Sequence, residues 1–337
     1  MTDQLDRTDP IGAIERSALR NSNAGRWGAD DVLGTLNLVT DEHRRRAAGL
    51  VRTGQVISLA QQFDTEGPQN GWRGRTNPVR TMLTDGRDAE HGDQGFSHGL
   101  GGADDVVFMP LQASTQWDGL GHIFDRGMAY NGRRAGDVVT SEGDRFTGIE
   151  TAADKLFGRG VLLDVGSAVG AAGTDAPDAR GELADGFAIT VEHLEATIAA
   201  QGAGAEIGSG DFLLIRTGQL SRARRAVAEG VGWGSYAGGP APGLSFTTID
   251  WIRAHDLAGI ATDTWGVEVR PNEFDNSFQP FHQVVIPHLG LFLGELWDLD
   301  TLAAECAAAG RYEFLLSAAP IPFTGAVGSP VHPLAVL

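Results

Sequence analysis

Between residues 160 and 296, short apolar runs alternate with stretches of helical spacing, and this alternation limits the possible folds more than any other feature. Gly160-Val161-Leu162-Leu163-Asp164-Val165 and Asp211-Phe212-Leu213-Leu214-Ile215-Arg216 have the length and aliphatic content of buried strands. Leu257 to Asp263 predicts a further short strand, leading into an acidic loop that carries a tryptophan, and Phe281 to Leu296 supplies a last apolar, strand-rich block. Thr190 is placed to cap a helix with Leu194, Ile198 and Ala199 at helical spacing, and Ser245 or Thr247 to cap one carrying Ile249, Ile252 and Leu257. Helices between buried strands argue for an α/β class, and the many glycine-bounded strands also permit a barrel-like, β-rich core with flanking helices.

The flanking regions are less regular. Residues 1–24 read as a loosely held N-terminal arm, followed by a turn and helices opened by Asp30-Asp31 and Asp41-Glu42. Gln55 to Ala60 reads as a strand, residues 65–102 as a long excursion with little periodic pattern, and Asp105 to Pro110 as a short apolar run entering the candidate site. There is no internal repeat, no Walker-type phosphate loop and no dinucleotide fingerprint after a strand. Residues 25–337 are accordingly expected to form a single catalytic domain.

The formal net charge of -18 argues against nucleic acid or an anionic membrane surface as a partner, since both require clustered Lys and Arg. Small molecules are the expected partners. Met1 to Asp9 lacks an apolar signal core and no stretch reaches the ~20 apolar residues of a membrane span, so the expected location is the cytoplasm. The single cysteine, Cys306, sits in an apolar setting that suits a buried structural thiol and leaves no thiolate metal site.

Chemistry concentrates in Gln112-Ala113-Ser114-Thr115-Gln116-Trp117-Asp118-Gly119-Leu120-Gly121-His122, where amides, hydroxyls, a carboxylate and an imidazole crowd beside an apolar run. Each such group costs about 1–3 kcal/mol if it is buried unsatisfied. A hydrogen-bonded turn is the plain alternative. A second cluster holds His282, at the mouth of an apolar segment, and Glu295, a lone carboxylate within Leu291-Phe292-Leu293-Gly294-Glu295-Leu296. A buried Glu must be protonated or held by a cation, and Asp, Glu and His are donors suited to Zn or Mn. One metal between the clusters would satisfy both.

These residues resemble the cyclase family of metal-dependent hydrolases, which includes bacterial kynurenine formamidase and isatin hydrolase. Its hallmark is H-x-G-T-H-x-D-x-x-x-H, followed much later by a His and a Glu. Thr115, Asp118 and His122 match the first motif, His282 and Glu295 match the later pair at a spacing of thirteen, and Gln112 and Gln116 stand where the family has histidines. Trp27-Gly28 and Gly34-Thr35-Leu36-Asn37 resemble the larger branch of the family. The resemblance implies a swivelling β/β/α fold and a homo-oligomer, dimer or tetramer.

It further implies a hydrolase cleaving an amide, lactam, formamide or lactone of a small aromatic substrate with metal-activated water. Asp118, His282, Glu295, Gln116 and Gln112 are the implied ligands of a divalent Mn or Zn ion, and His122 the general base. Trp117, Phe124, Trp265 and Trp72 are candidate walls for the ring, and Ser114 and Thr115 candidate oxyanion donors. Carboxamide oxygens are weaker ligands than imidazoles, so either the metal shifts toward Asp118, His282 and Glu295, or the site works without one. In the metal-free alternative Asp118 and His122 act as an acid–base pair for a dehydration, isomerisation or ring closure. A non-catalytic small-molecule binder is the third reading.

Overall fold

A computed structural model describes residues 4–171, 180–202 and 204–337. Its framework is a curled, nine-stranded mixed sheet, a half-barrel flanked by helices. Numbered in chain order, the strands of this sheet are β1 (Val56–Ser58), β2 (Gln116–Asp118), β3 (Phe157–Asp164), β4 (Phe212–Arg216), β5 (Gly259–Thr262), β6 (Phe292–Glu295), β7 (Glu313–Ser317), β8 (Gly328–Pro330) and β9 (Leu334–Val336). They lie in the order β1-β9-β7-β3-β4-β5-β6-β2-β8.

The middle of the sheet is parallel: β3, β4, β5 and β6 pair in that order, and the segments between them contain the helices Val191–Gln201, Gln219–Ala228, Ile249–His255 and Pro280–Val284. Parallel neighbours need such crossovers, and crossovers cover both faces of the sheet, so these strands are apolar on both sides. Side chains divide by parity. Leu213 and Ile215 join one core with Leu163, Ile260 and Leu293, whereas Phe212 and Leu214 join another with Leu162, Ala261 and Phe292. The alternation expected of the α/β core is thus present, with Thr190 at the N-cap of Val191–Gln201 and Ser245 accepting from Thr247 N at the start of the turn that leads into Ile249–His255.

Three segments depart from the expectations. The N-terminal arm contains the helix Pro10–Asn21, capped by Asp9, and its Ala13, Ile14 and Ala18 are buried in the first core. An apolar stripe at this spacing anchors the segment to the body. The excursion holds the strand Val79–Thr84, which pairs antiparallel with Asp104–Phe108 in a projecting hairpin. Asp105–Phe108 therefore does not enter the site, and Phe108 is 77% exposed. His282, expected on a strand, lies in the helix Pro280–Val284. Cys306 is buried, and burial pushes its thiol up to about 12.

Candidate active site

The site forms where β2 lies antiparallel to the last parallel strand, β6. Register places Gln116 opposite Glu295 and Asp118 opposite Leu293. Because strand side chains alternate, Gln116, Asp118 and Glu295 share one face and Trp117 takes the other. Gly294 faces Trp117 across the ladder, and a Cβ there would meet Trp297 Nε1 at 2.8 Å, so the small residue makes room for the packed indoles. His282 reaches the same face from the helix Pro280–Val284. Ligand atoms of Asp118, His282 and Glu295 all lie within 4.8 Å of one another, and all three residues are buried.

Glu268 organises the histidine. Its Oε1 accepts His282 Nδ1–H at 2.7 Å and His282 N–H at 3.0 Å, while Oε2 accepts Phe281 N–H at 3.1 Å. This fixes the ring so that Nε2 points to Glu295 Oε1, 3.1 Å away. Burial alone would lower the basicity of His282, but the hydrogen bonds to Glu268 and Glu295 outweigh it and raise the imidazole to about 10. Glu295 moves upward from the usual carboxylate range because it is buried and because the Asp118 charge is close.

Gln116 Nε2 donates to Glu295 Oε2 at 2.8 Å and to Asp118 Oδ1 at 3.3 Å, leaving its Oε1 buried with no partner. The donor set fits a divalent cation. Two carboxylates and an imidazole converge, the imidazole is backed by a carboxylate on its other nitrogen as metal-bound histidines are, and an orphaned amide oxygen lies on the same side chain that bridges the acids.

His122 closes the other side. Its Nε2 is 3.7 Å from Asp118 Oδ1, too long for a hydrogen bond, and its Nδ1 is buried without a partner. Burial pushes this imidazole below its ordinary range against the opposing pull of Asp118, and the positive charge of Arg75 adds to the depression. A cavity of about 90 Å³ connects these groups, lined by Asp118, His122, Ile123, Glu295, Trp265 and Gln279 and covered by Trp72, Arg73 and Arg75.

The other expected site residues fall elsewhere. Trp117 is core, donating Nε1–H to Ala318 O at 2.8 Å and packing edge-on against Trp297 with ring centroids 4.9 Å apart, so it is not a substrate wall. Thr115 gives its hydroxyl proton to Leu296 O at 2.6 Å and accepts from Gln61 N at 2.9 Å, which ties two loops together. Ser114 Oγ is buried without a partner and Phe124 is 37% exposed; neither lines the cavity. The Gln112 amide packs against Gly328, also away from the cavity. Trp265 does line it, edge-on to Trp72 at 5.3 Å.

Glu268, which the sequence expectations leave out, is 3% exposed and the partner of His282. Its setting between Val267 and Val269 carries the same signal that singled out Glu295. Arg73, Arg75 and Gln279 come from aperiodic loops and carry no comparable signal. Asp263 serves the scaffold: it accepts Thr217 N–H, the Thr217 hydroxyl and Gly218 N–H, and burial raises it to about 6.

A curled α/β half-barrel flanked by helices, here with an acid–imidazole group at the carboxyl end of its last parallel strand, is the cyclase-like fold. The Cyclase family model matches residues 48–269, and a crystal structure described as a novel cyclase is 36% identical, covering 94% of this chain and 99% of that one at a TM-score of 0.82. The chain belongs to the Cyclase family. Isatin hydrolase A from Ralstonia solanacearum has a similar fold at 16% identity, with a TM-score of 0.58 over 86% of this chain and 93% of that one. An isatin hydrolase bound to the product analogue thioisatinate is likewise 16% identical, with a TM-score of 0.57 over 86% and 94%. No curated protein sequence matches significantly. Among the described residues no helix is long and apolar enough to cross a membrane.

Proposed function

We propose that this chain is a hydrolase of small planar molecules, cleaving an amide, lactam or formamide C–N bond or a lactone, with His122 as general base and a divalent cation held by Asp118, His282 and Glu295. The observation that carries the reading is an imidazole, His122, whose Nε2 makes no hydrogen bond and whose basicity burial lowers, facing a group of metal-ligating atoms across a cavity of about 90 Å³. Two carboxylates to one imidazole make an oxygen-rich set, which favours manganese over zinc. When bound, the cation supplies Lewis acidity, polarising the scissile carbonyl and acidifying water.

The side chains of this protein then do the rest. His122 Nε2 takes the proton of the attacking water and returns it to the departing nitrogen or oxygen. Glu268 holds His282 through Nδ1, so that Nε2 faces Asp118 and Glu295. Trp72 and Trp265 present apolar edges to a planar group, and the turn from Gly71 to Arg75 screens the reaction from solvent. Exposed Val79, Leu83, Val107 and Phe108 on the projecting hairpin support work as a homo-oligomer, and the net charge of -18 supports a small-molecule rather than a nucleic-acid partner.

A metal-independent acid–base reaction is the second reading. It is favoured by the Gln116 amide, which already bridges Asp118 and Glu295, and by His282, which already bridges Glu268 and Glu295. The test is hydrolysis of isatin, a formanilide and an aryl lactone by the wild-type protein and Glu295→Ala. Turnover of one of them, lost in the variant and in chelator, supports the metal hydrolase. Activity in chelator that survives metal removal selects the second reading.

A further inference from the structure

We infer that the substrate of this site carries an anionic group, a carboxylate on a planar ring, recognised by Arg75, Arg73 and Arg270. Turnover of the bound molecule rests on the hydrolase reading; its recognition requires binding alone. Three rings cluster here: Trp72 and Trp265 line the cavity 5.3 Å apart, and Phe278 packs beside them, 5.6 Å from Trp72. Three guanidiniums interleave with them. Arg73 lies 4.8 Å from the Trp72 centroid, Arg75 5.5 Å from Trp265, and Arg270 5.3 Å from Trp265 and 5.0 Å from Phe278.

Gathering like charges is unfavourable unless something compensates them. Several other partly buried arginines in this acidic chain are paired with acids: Arg159 with Asp211, Arg216 with Asp164 and Asp300, Arg222 with Asp185, Arg224 with Asp298. Among the described residues none of these three arginines has a carboxylate within ion-pair distance; Arg73 and Arg75 line the cavity, and Arg270 Nη1 is buried with no hydrogen-bond partner. The nearest acids acting on Arg270 are Glu268 and Glu295, and both are already engaged by His282. A buried, unpartnered guanidinium nitrogen is costly, and a planar fork of donors is the group best matched to a carboxylate.

Position links this charge to the reacting groups. A Cβ built on Gly266 would lie 3.5 Å from Gln279 Nε2, 3.9 Å from Glu295 Oε1 and 4.0 Å from Arg270 Nη1, so Arg270 borders the same space as Glu295. Arg73 is held at φ 50° between Gly71 and Gly74, a backbone conformation uncommon for a side-chain-bearing residue and often found where function requires it. The rings border the planar body of the ligand with apolar surface, and the arginines take its charge.

The test compares benzoate with benzamide, two probes of the same shape that differ in charge, by tryptophan fluorescence and calorimetry on the full-length protein. Wild type should bind benzoate about tenfold or more tighter than benzamide. Arg75→Met and Arg270→Met should each bring the two probes toward parity, Arg75→Lys should keep part of the preference, and added salt should weaken benzoate alone. Arg73→Met, at an exposed position, gives the same readout should a more buried variant fold poorly. The preference should persist in Asp118→Ala, whose loss of turnover belongs to the hydrolase reading. Equal binding of the probes, no binding of either, or a preference that survives the methionine substitutions overturns the inference whatever the turnover. A missing turnover with the arginine-dependent preference intact overturns only the hydrolase reading.

Discussion

Replacing Glu268 with glutamine separates a carboxylate that orients a metal ligand from one that merely fills space. In the native protein Oε1 accepts two donors, His282 Nδ1 at 2.7 Å and His282 N at 3.0 Å, and Oε2 accepts Phe281 N at 3.1 Å and Asn272 Nδ2 at 3.2 Å. Glutamine has the same shape but one acceptor oxygen. If that oxygen stays with His282, the new amide N–H₂ faces Phe281 N–H and Asn272. Asn272 keeps its bond to Val269 O at 3.0 Å, but its second N–H and the Phe281 N–H both lose their acceptor, a loss of about 1–3 kcal/mol of stability for each donor left buried and unpaired. Removing the charge behind the imidazole should also cost about 10–100-fold in metal affinity. Competition against a chromogenic chelator at fixed pH gives the affinity, and thermal unfolding of the metal-free protein gives the stability. A lowered melting temperature with affinity within about twofold of wild type would refute the orienting role, since the usual effect of losing such a partner is at least tenfold.

His122→Ala should reduce turnover by about 10²–10⁴-fold while leaving the metal content per chain unchanged; steady-state kinetics with elemental analysis checks both. Metal affinity should rise with pH, because the proton that His282 carries up to about 10 must leave before Nε2 can ligate; one displaced proton gives about tenfold per pH unit, and a flat profile between roughly pH 6 and 9 contradicts it. The same raised value sets the sign for the metal-free protein. His282 contributes its full stabilisation below its ordinary 6.5 and loses it as pH climbs through about 10, so metal-free chains should melt lower at high pH than near neutrality, read by thermal unfolding against pH. Trp117→Ala should cost about 3–5 kcal/mol of folding stability as a core deletion, and Trp117→Phe should retain substrate KM, whereas a substrate wall would show the reverse.

The parallel centre of the sheet was legible because its strands are buried on both sides, so Val161–Leu163 and Phe212–Ile215 stand out as unbroken apolar runs. The same property misled at Phe281–Leu296. A continuously buried helix and a continuously buried strand share one hydrophobic signature, and only Pro280, at the first turn, marked the helix that carries His282. Pro10, preceded by Asp9 and followed by Ala13, Ile14 and Ala18, was an equally local signal for the helix in the supposed arm. In the site, Asp118, His122, His282 and Glu295 were recognisable as polar groups in apolar settings. Trp117 was placed in the pocket although the facing of Gln116 and Asp118 requires it to point away once that segment is a strand. Arg73, Arg75 and Gln279 arrive through the tertiary path of loops, which no periodicity encodes.

The most direct measurement is the metal content of protein purified without chelator or affinity tag, by elemental mass spectrometry, for wild type, Asp118→Ala and Glu295→Ala. About one manganese or zinc per chain in the wild type, lost in both variants while they remain folded, is the result expected of a cation held by Asp118, His282 and Glu295. A folded, active wild-type protein with no stoichiometric metal would contradict it.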